Sequence, residues 1–221
     1  MKDLSLLPIH CRLFKDMTAK ELSRMLPCLG AHTSALRKGE MLFRPGMKAE
    51  WFGVLLSGGL AVSTYDGDGR RNIIKHVSPM EVVAAAQAFA GNGTMIVGVE
   101  AETASEVLLL KSARATMPCE KVCAAHLRLV RNLVGIMAAK TLELNGKIGI
   151  LSRRNTADRL LTYLREVAKK AGSRKFDIPF NRQGLADFLC VERSALSAEI
   201  GRLSRKGVLT AHKSHFTLHI R

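Results

Sequence analysis

Eight residues between positions 127 and 151 recur at alternating spacings of 3 and 4: Leu127, Val130, Val134, Met137, Thr141, Leu144, Ile148 and Leu151. An a/d repeat of period 3.5 held for more than three heptads draws one narrow apolar stripe along a helix. Such a stripe hides only part of the helix and fits a second helix of the same kind. The pattern predicts a dimerisation helix within residues 118–151, with Leu127, Val130, Val134, Met137, Thr141, Leu144 and Ile148 at the interface. It also separates the rest of the chain into two pieces, and 221 residues leave room for a domain on each side.

The piece before the helix has the texture of strands. From Ala35 to Leu110 short β-type runs alternate with turn signals: "GEMLFRPG", "WFGVLLSGGLAVSTY", "DGDGRRNIIKHV", "MIVGVEA" and "SEVLLL". That spacing predicts a small antiparallel barrel or sandwich. "YDGDGR" reads as a hairpin whose glycines take the positive φ such turns need. Trp51 and Phe52 are assigned to the core. Ahead of the strands, residues 12–30 read as one or two short helices, with Thr18 as an N-cap three residues before Glu21.

The piece after the helix reads differently. Asn155 followed by Asp158 starts a helix over 156–171 that stops at Gly172, which makes Ser152 to Asn155 a hinge. "SRKFDIPFN" is extended. In "LADFLCVERSALSAEIGRLSRKGVL", Leu185, Ala186 and Leu189 form the apolar face of a short helix beginning near Arg182. Cys190, Val191 and Glu192 make a three-residue connection, and Leu196, Ile200 and Leu203 form the inner face of a second helix. This is the spacing of a helix-turn-helix. The second helix turns Arg193, Ser194, Ser197 and Ala198 outward, a slim face with hydrogen-bonding groups, as entry into a major groove requires. "GVLTAHKSHFTLHIR" is two β-like runs around Lys213-Ser214, a wing. The predicted DNA-contacting set is Arg182, Gln183, Arg193, Ser194, Ser197, Ala198 and Lys213. Two residues depart from the usual pattern: Cys190 stands where the turn commonly has glycine, and Glu199 stands at a typically apolar position.

Charge agrees with that set. The chain carries a net +15, and residues 146–221 hold 16 Lys+Arg against 6 Asp+Glu. A basic surplus concentrated in one third of the chain points to a polyanion there, double-stranded DNA given the motif. No apolar run approaches the roughly 18 residues of a membrane span. "MKDLSLLPIHCRLFKD" lacks the build of a secretory signal, so a soluble, cytoplasmic protein without membrane contact is expected. Five cysteines without a Cys-x-x-Cys pair argue against a disulfide framework and a zinc ribbon.

Taken together, the chain resembles the Crp–Fnr superfamily of bacterial transcription regulators. "KGEMLFRPG…WFGVLLSGGLAV" is similar to that family's opening β-roll signature, the heptad helix to its dimer helix, and "PFNRQGLADFLCVERSALSAEIGRLSRKGVL" to its winged helix-turn-helix. The resemblance covers residue 12 to the end. It implies an α+β architecture: a cyclic-nucleotide-binding-like β-roll sensor over 1–117, the dimerisation helix over 118–151, and a winged helix-turn-helix over 152–221. It further implies a homodimer on an interrupted palindrome, RNA polymerase as a partner, and a small-molecule effector in the roll. Arg193 matches a base-contacting position, while Ser194 and Ala198 stand where many members have Glu and Arg. Cyclic-nucleotide members carry a Gly-Glu pair and an Arg-Ser or Arg-Thr pair; the matching positions here read Ala84-Ala85 and Met95-Ile96. A buried phosphate without an anion partner is very costly, so cyclic AMP is not the expected effector. The remaining pocket is Ala84, Ala85, Ala86, Gln87, Phe89, Met95, Ile96 and Val97, with walls suited to a neutral or aromatic effector or to haem. The alternative is a pocket collapsed into core.

Other constellations are weaker. Cys11 and Cys28 do not reproduce the iron–sulfur spacing of oxygen-sensing members. Cys119, Cys123 and His126 could share one helical face and hold a metal, although Cys123 also extends the heptad line as a small hydrophobe. His10, His32 and His76 are candidate haem ligands, each also readable as an ordinary surface residue. No Ser/His/Asp set or carboxylate pair stands out, so no enzymatic activity is expected. The alternatives to an effector-responsive DNA-binding regulator are a haem- or redox-responsive sensor of the same fold and a metal-dependent β-roll enzyme.

Overall fold

The computed structural model describes residues 7–68, 70–91, 93–117 and 124–219. It divides into two compact units, Met1–Ala139 and Lys140–Arg221. The division falls inside one long helix.

The first unit opens with α1 (Leu7–His10), a 3-10 turn (Arg12–Phe14) and α2 (Ala19–Cys28). Thr18 starts α2 as expected: its hydroxyl accepts from the Glu21 amide at 3.2 Å, and the Glu21 carboxylate accepts from the Thr18 amide at 2.9 Å. This reciprocal box satisfies two amides that a helix start leaves unpaired. Eight strands follow: β1 (His32–Leu36), β2 (Met41–Phe43), β3 (Trp51–Ser57), β4 (Leu60–Tyr65), β5 (Arg71–Val77), β6 (Val82–Val83), β7 (Gly98–Ala101) and β8 (Ser105–Lys111). Two short helices lie among and after them, α3 (Ala85–Phe89) and α4 (Ser112–Thr116).

The strands form two antiparallel four-stranded sheets, ordered β1-β8-β3-β6 and β2-β7-β4-β5. This is the expected sandwich. The run "SEVLLL" is apolar on both sides because β8 has a core on each face. Val107 and Leu109 join Leu55, Leu60, Val77 and Val99 between the sheets. Leu108 and Leu110 join Phe52, Val54, Leu22 and Met25 beneath the helices. Phe52 is fully buried as expected, and Trp51 is half-buried with the His32 ring edge-on at 4.8 Å. The β3–β4 turn requires glycine at Gly58: φ is +90°, and a Cβ there would lie 2.4 Å from the Ala104 carbonyl oxygen.

The β4–β5 hairpin forms where expected, but Gly67 does not take a positive φ. Asp66 also holds the turn: its Oδ1 accepts from the amides of Asp68 at 3.0 Å and Arg70 at 2.8 Å. A short carboxylate can replace a backbone acceptor in this way. Gly69 lies outside the described residues.

Helix α5 (Ala124–Leu151) carries the heptad positions. Within the first unit it buries Ala125, Leu129 and Leu133, with Ile136 and Met137 packed alongside. Asn132 donates to the carbonyls of Leu13 and Lys15, and Arg128 pairs with Glu21. The seam lies on an adjoining face. Leu127, Val134, Leu144 and Ile148 are 64%, 62%, 49% and 63% exposed, Thr141 is exposed, and Val130 and Met137 are half-buried.

The second unit contains α6 (Thr156–Ala171), β9 (Lys175–Asp177), α7 (Arg182–Leu189), α8 (Arg193–Arg205), β10 (Leu209–His212) and β11 (His215–Leu218). Asn155 caps α6 by accepting from the Asp158 amide at 2.8 Å, and Gly172 ends it in a left-handed conformation. The extended "SRKFDIPFN" segment does more than connect. Its β9 pairs with β11, making the wing a three-stranded sheet of order β10-β11-β9. Leu160, Tyr163, Leu164, Phe176, Leu185, Leu196, Ile200, Leu203 and Phe216 form the core. Among the described residues, no helix is long and apolar enough to cross a membrane.

Candidate nucleic-acid interface

Helix α7 starts at Asn181, whose side chain accepts from the Gly184 amide at 2.8 Å. It buries Leu185, Ala186 and Leu189 and ends at Cys190. Cys190 occupies the left-handed region, with φ 53° and ψ 52°, and its amide and that of Val191 close onto the carbonyls of Asp187 and Ala186. Thus the position usually held by glycine keeps its conformation, at a steric cost that glycine would not bear. The three-residue connection leads into α8, which buries Leu196, Ile200 and Leu203.

The outer face of α8 is open. Arg193, Ser194, Ala195, Ser197 and Ala198 are exposed, one polar, small-residue face at the start of the helix. Glu199 forms a two-point pair with Arg202, Nε to Oε2 at 3.0 Å and Nη2 to Oε1 at 2.5 Å. That pair lowers the Glu199 pKa and raises that of Arg202, which explains how a carboxylate stands at a typically apolar position.

The basic groups converge beside α7. Arg182 lies over the Phe216 ring, its guanidinium carbon 5.9 Å from the centroid. Burial, and then the nearby Arg193 charge, pull the Arg182 pKa below its ordinary value. Like charges near each other suit a shared anion, which would offset their repulsion. Arg182 and Lys213 also line one cleft of about 490 Å³, with Ile178, Pro179, Phe180, Asn181 and Ser214. Gln183 is exposed, with its amide on the Asp187 carboxylate at 2.8 Å. The fold therefore places all seven sequence-predicted contacts on α7, α8 and the wing tip, none of them buried.

Sequence reasoning missed Arg159. From α6 it donates to the carbonyls of Arg153 at 3.0 Å and Leu189 at 3.3 Å, tying α6 to the end of α7. An arginine in the first turns of an amphipathic helix gives no local sign of a partner thirty residues away.

The roll residues assigned to an effector divide between two cores. Ala85 and Phe89 pack with Phe52 beneath the helices, the two rings 5.1 Å apart. Met95 and Val97, 1% and 3% exposed, lie between the sheets with Ala84 alongside. Ala86 is exposed, Gln87 is half-buried, and Ile96 is 65% exposed. Ala84 sits at φ 62°, a left-handed residue at the start of α3. Among the other candidates, His76 meets Glu102 at 2.9 Å, His10 is exposed at the end of α1, and His126 is buried with Nε2 3.1 Å from the Ala115 carbonyl. Cys119 and Cys123 lie outside the described residues. Among the described residues no group of three or more His, Cys, Asp or Glu is arranged to hold a metal ion.

Comparison with known proteins agrees with this geometry. Residues 33–117 match the cyclic nucleotide-binding domain, and residues 158–221 match the Crp-like helix-turn-helix domain. Among solved structures, the chain is similar to the c-di-GMP-responsive global regulator CLP of Xanthomonas campestris (TM-score 0.57, 19% identity, 92% of this chain and 100% of that one). It is also similar to the catabolite activator protein of Thermus thermophilus (0.55, 16%, 94% and 93%) and to DNR of Pseudomonas aeruginosa (0.52, 20%, 100% and 96%). At these identities the likeness establishes the fold. No curated protein matches the chain by sequence.

Proposed function

We propose that this chain, a member of the Crp–Fnr superfamily, is a sequence-specific transcription regulator that binds an interrupted DNA palindrome as a homodimer. The single observation carrying this reading is the outer face of α8, with Arg193, Ser194, Ser197 and Ala198 exposed and the Arg193 charge near Arg182, which shares a cleft with Lys213. Arg193 reads guanine through O6 and N7, Ser194 and Ser197 bond bases or phosphates, and Ala198 meets a thymine methyl. Arg182, Gln183 and Lys213 hold the backbone, which sets register without reading sequence. The exposed seam of α5 supports the twofold partner. Two recognition helices related by that axis read half-sites about 34 Å apart.

Cyclic AMP is not the effector in this reading. Ala84, Ala85, Met95 and Ile96 offer neither a cation for phosphate nor an acceptor for ribose. A second reading is favoured by the burial of Met95, Val97 and Ala85 in the two cores: the roll is filled by its own side chains, and DNA binding needs no effector there.

The test is selection of a cognate duplex followed by titration of Arg193→Ala. The substitution costs about 1–3 kcal/mol on that duplex and relaxes preference at one base pair. Lys213→Ala weakens all duplexes alike and lowers the salt slope. Unchanged affinity and selectivity in Arg193→Ala would remove α8 as the reading helix.

A further inference from the structure

Of the chain's seven histidines, His212, His215 and His219 fall within its last ten residues. All three are exposed on the wing. His212 and His215 are directly opposite each other across β10 and β11, with the Lys213-Ser214 turn between them. His215 is in turn opposite Asp177 on β9, its Nδ1 3.3 Å from the carboxylate. Directly opposed residues of an antiparallel sheet project from the same face, their Cβ atoms about 5 Å apart. The outer face of the wing therefore carries a row Asp177–His215–His212, ending at the tip.

The surroundings of that row are strongly basic. The next row is Lys175–Thr217–Thr210, and Thr210 Oγ1 lies 2.8 Å from His219 Nε2. Lys213 stands at the tip and shares the cleft with Arg182 of α7. The opposite face of the sheet belongs to the core through Leu209, Phe216 and Leu218, and there the Arg182 guanidinium lies over the Phe216 ring, adding a further positive charge on that side. Asp177 is the one carboxylate in this set.

We infer that the wing couples DNA binding to proton uptake by His212 and His215. This rests on the reading that the wing tip lies along the phosphate backbone. Imidazole is the side chain whose charge changes between about pH 5 and 8. Protonating both rings places like charges directly opposite each other, which is unfavourable in a sheet. A phosphate beside Lys213 offsets that repulsion. The DNA-bound state holds more protons than the free state, and by linkage a lower pH tightens binding. The gain is present below the imidazole range and is lost as pH rises through it. It applies to any sequence, because the anion recognised is the backbone.

The experiment is fluorescence anisotropy on the selected duplex and an unrelated one, from pH 6 to pH 8.5 at fixed ionic strength, with His212→Gln/His215→Gln as the variant. Glutamine keeps the polarity and approximate size of these exposed side chains. The parent is expected to bind both duplexes about five- to tenfold more tightly at pH 6, with a salt slope steeper by about one per wing. The double variant matches the parent at pH 8.5 and gains little on acidification. A parent without a pH gain, or a double variant that keeps it, overturns the proposal. Absence of salt-sensitive binding at every pH fails differently: it refutes the DNA reading itself, and the coupling with it.

Discussion

Val134→Glu places a carboxylate in the middle of the exposed seam of α5. In the single chain Val134 is 62% exposed, so pairing with a second helix hides that remainder. Losing this burial costs about 1 kcal/mol per chain, on a scale of roughly 1.5–2 kcal/mol for a whole valine side chain. The larger cost is the charge. A carboxyl with an ordinary pKa of about 4.3 must be neutralised to enter a dry seam, which at pH 7 requires about 3.7 kcal/mol per chain. For two chains the two effects reach about 9 kcal/mol, a ceiling set by complete burial and equal to more than six decades in Kd. Even half of that separates a nanomolar dimer at micromolar concentration. Sedimentation velocity at neutral pH is the assay, with Val134→Ala as the control, which loses only packing and remains dimeric. The sign with pH is fixed: near pH 4.5 the carboxyl no longer carries most of the penalty, and association partly returns. A Val134→Glu protein that sediments as the parental dimer at neutral pH refutes the seam as the dimer interface.

Two further outcomes follow from local geometry. Cys190→Gly relieves a left-handed residue and is expected to stabilise by about 0.5–1 kcal/mol, the steric gain less the added backbone entropy; a lower urea midpoint at unchanged slope would mean that the Cys190 side chain holds the turn. Cyclic AMP titrated by calorimetry should give no heat of saturable binding, since the roll offers no cation at Met95 or Ile96; low-micromolar affinity would overturn that reading.

The helix-turn-helix, the heptad helix and the caps at Thr18 and Asn155 were legible in the chain, because each depends on residues three or four positions apart. Apolar spacing places Leu185, Ala186 and Leu189 on one face whatever the surroundings, and a side chain beside a helix start reaches its amides locally. The apolar spacing of the seam was legible too, but not its neighbour: only the packed unit gives α5 a buried face at Ala125, Leu129 and Leu133 beside the exposed seam. The alternating faces of β8 read simply as an apolar run, since no local signal assigns Val107 to one core and Leu108 to another. Met95 and Ile96 are adjacent and similar in polarity, yet one is buried and the other is not. The same holds for Arg159 on the Leu189 carbonyl, and for β9 joining the wing to bring Asp177 opposite His215. Local periodicity states which residues share a face. Register and packing between distant segments alone decide what that face meets.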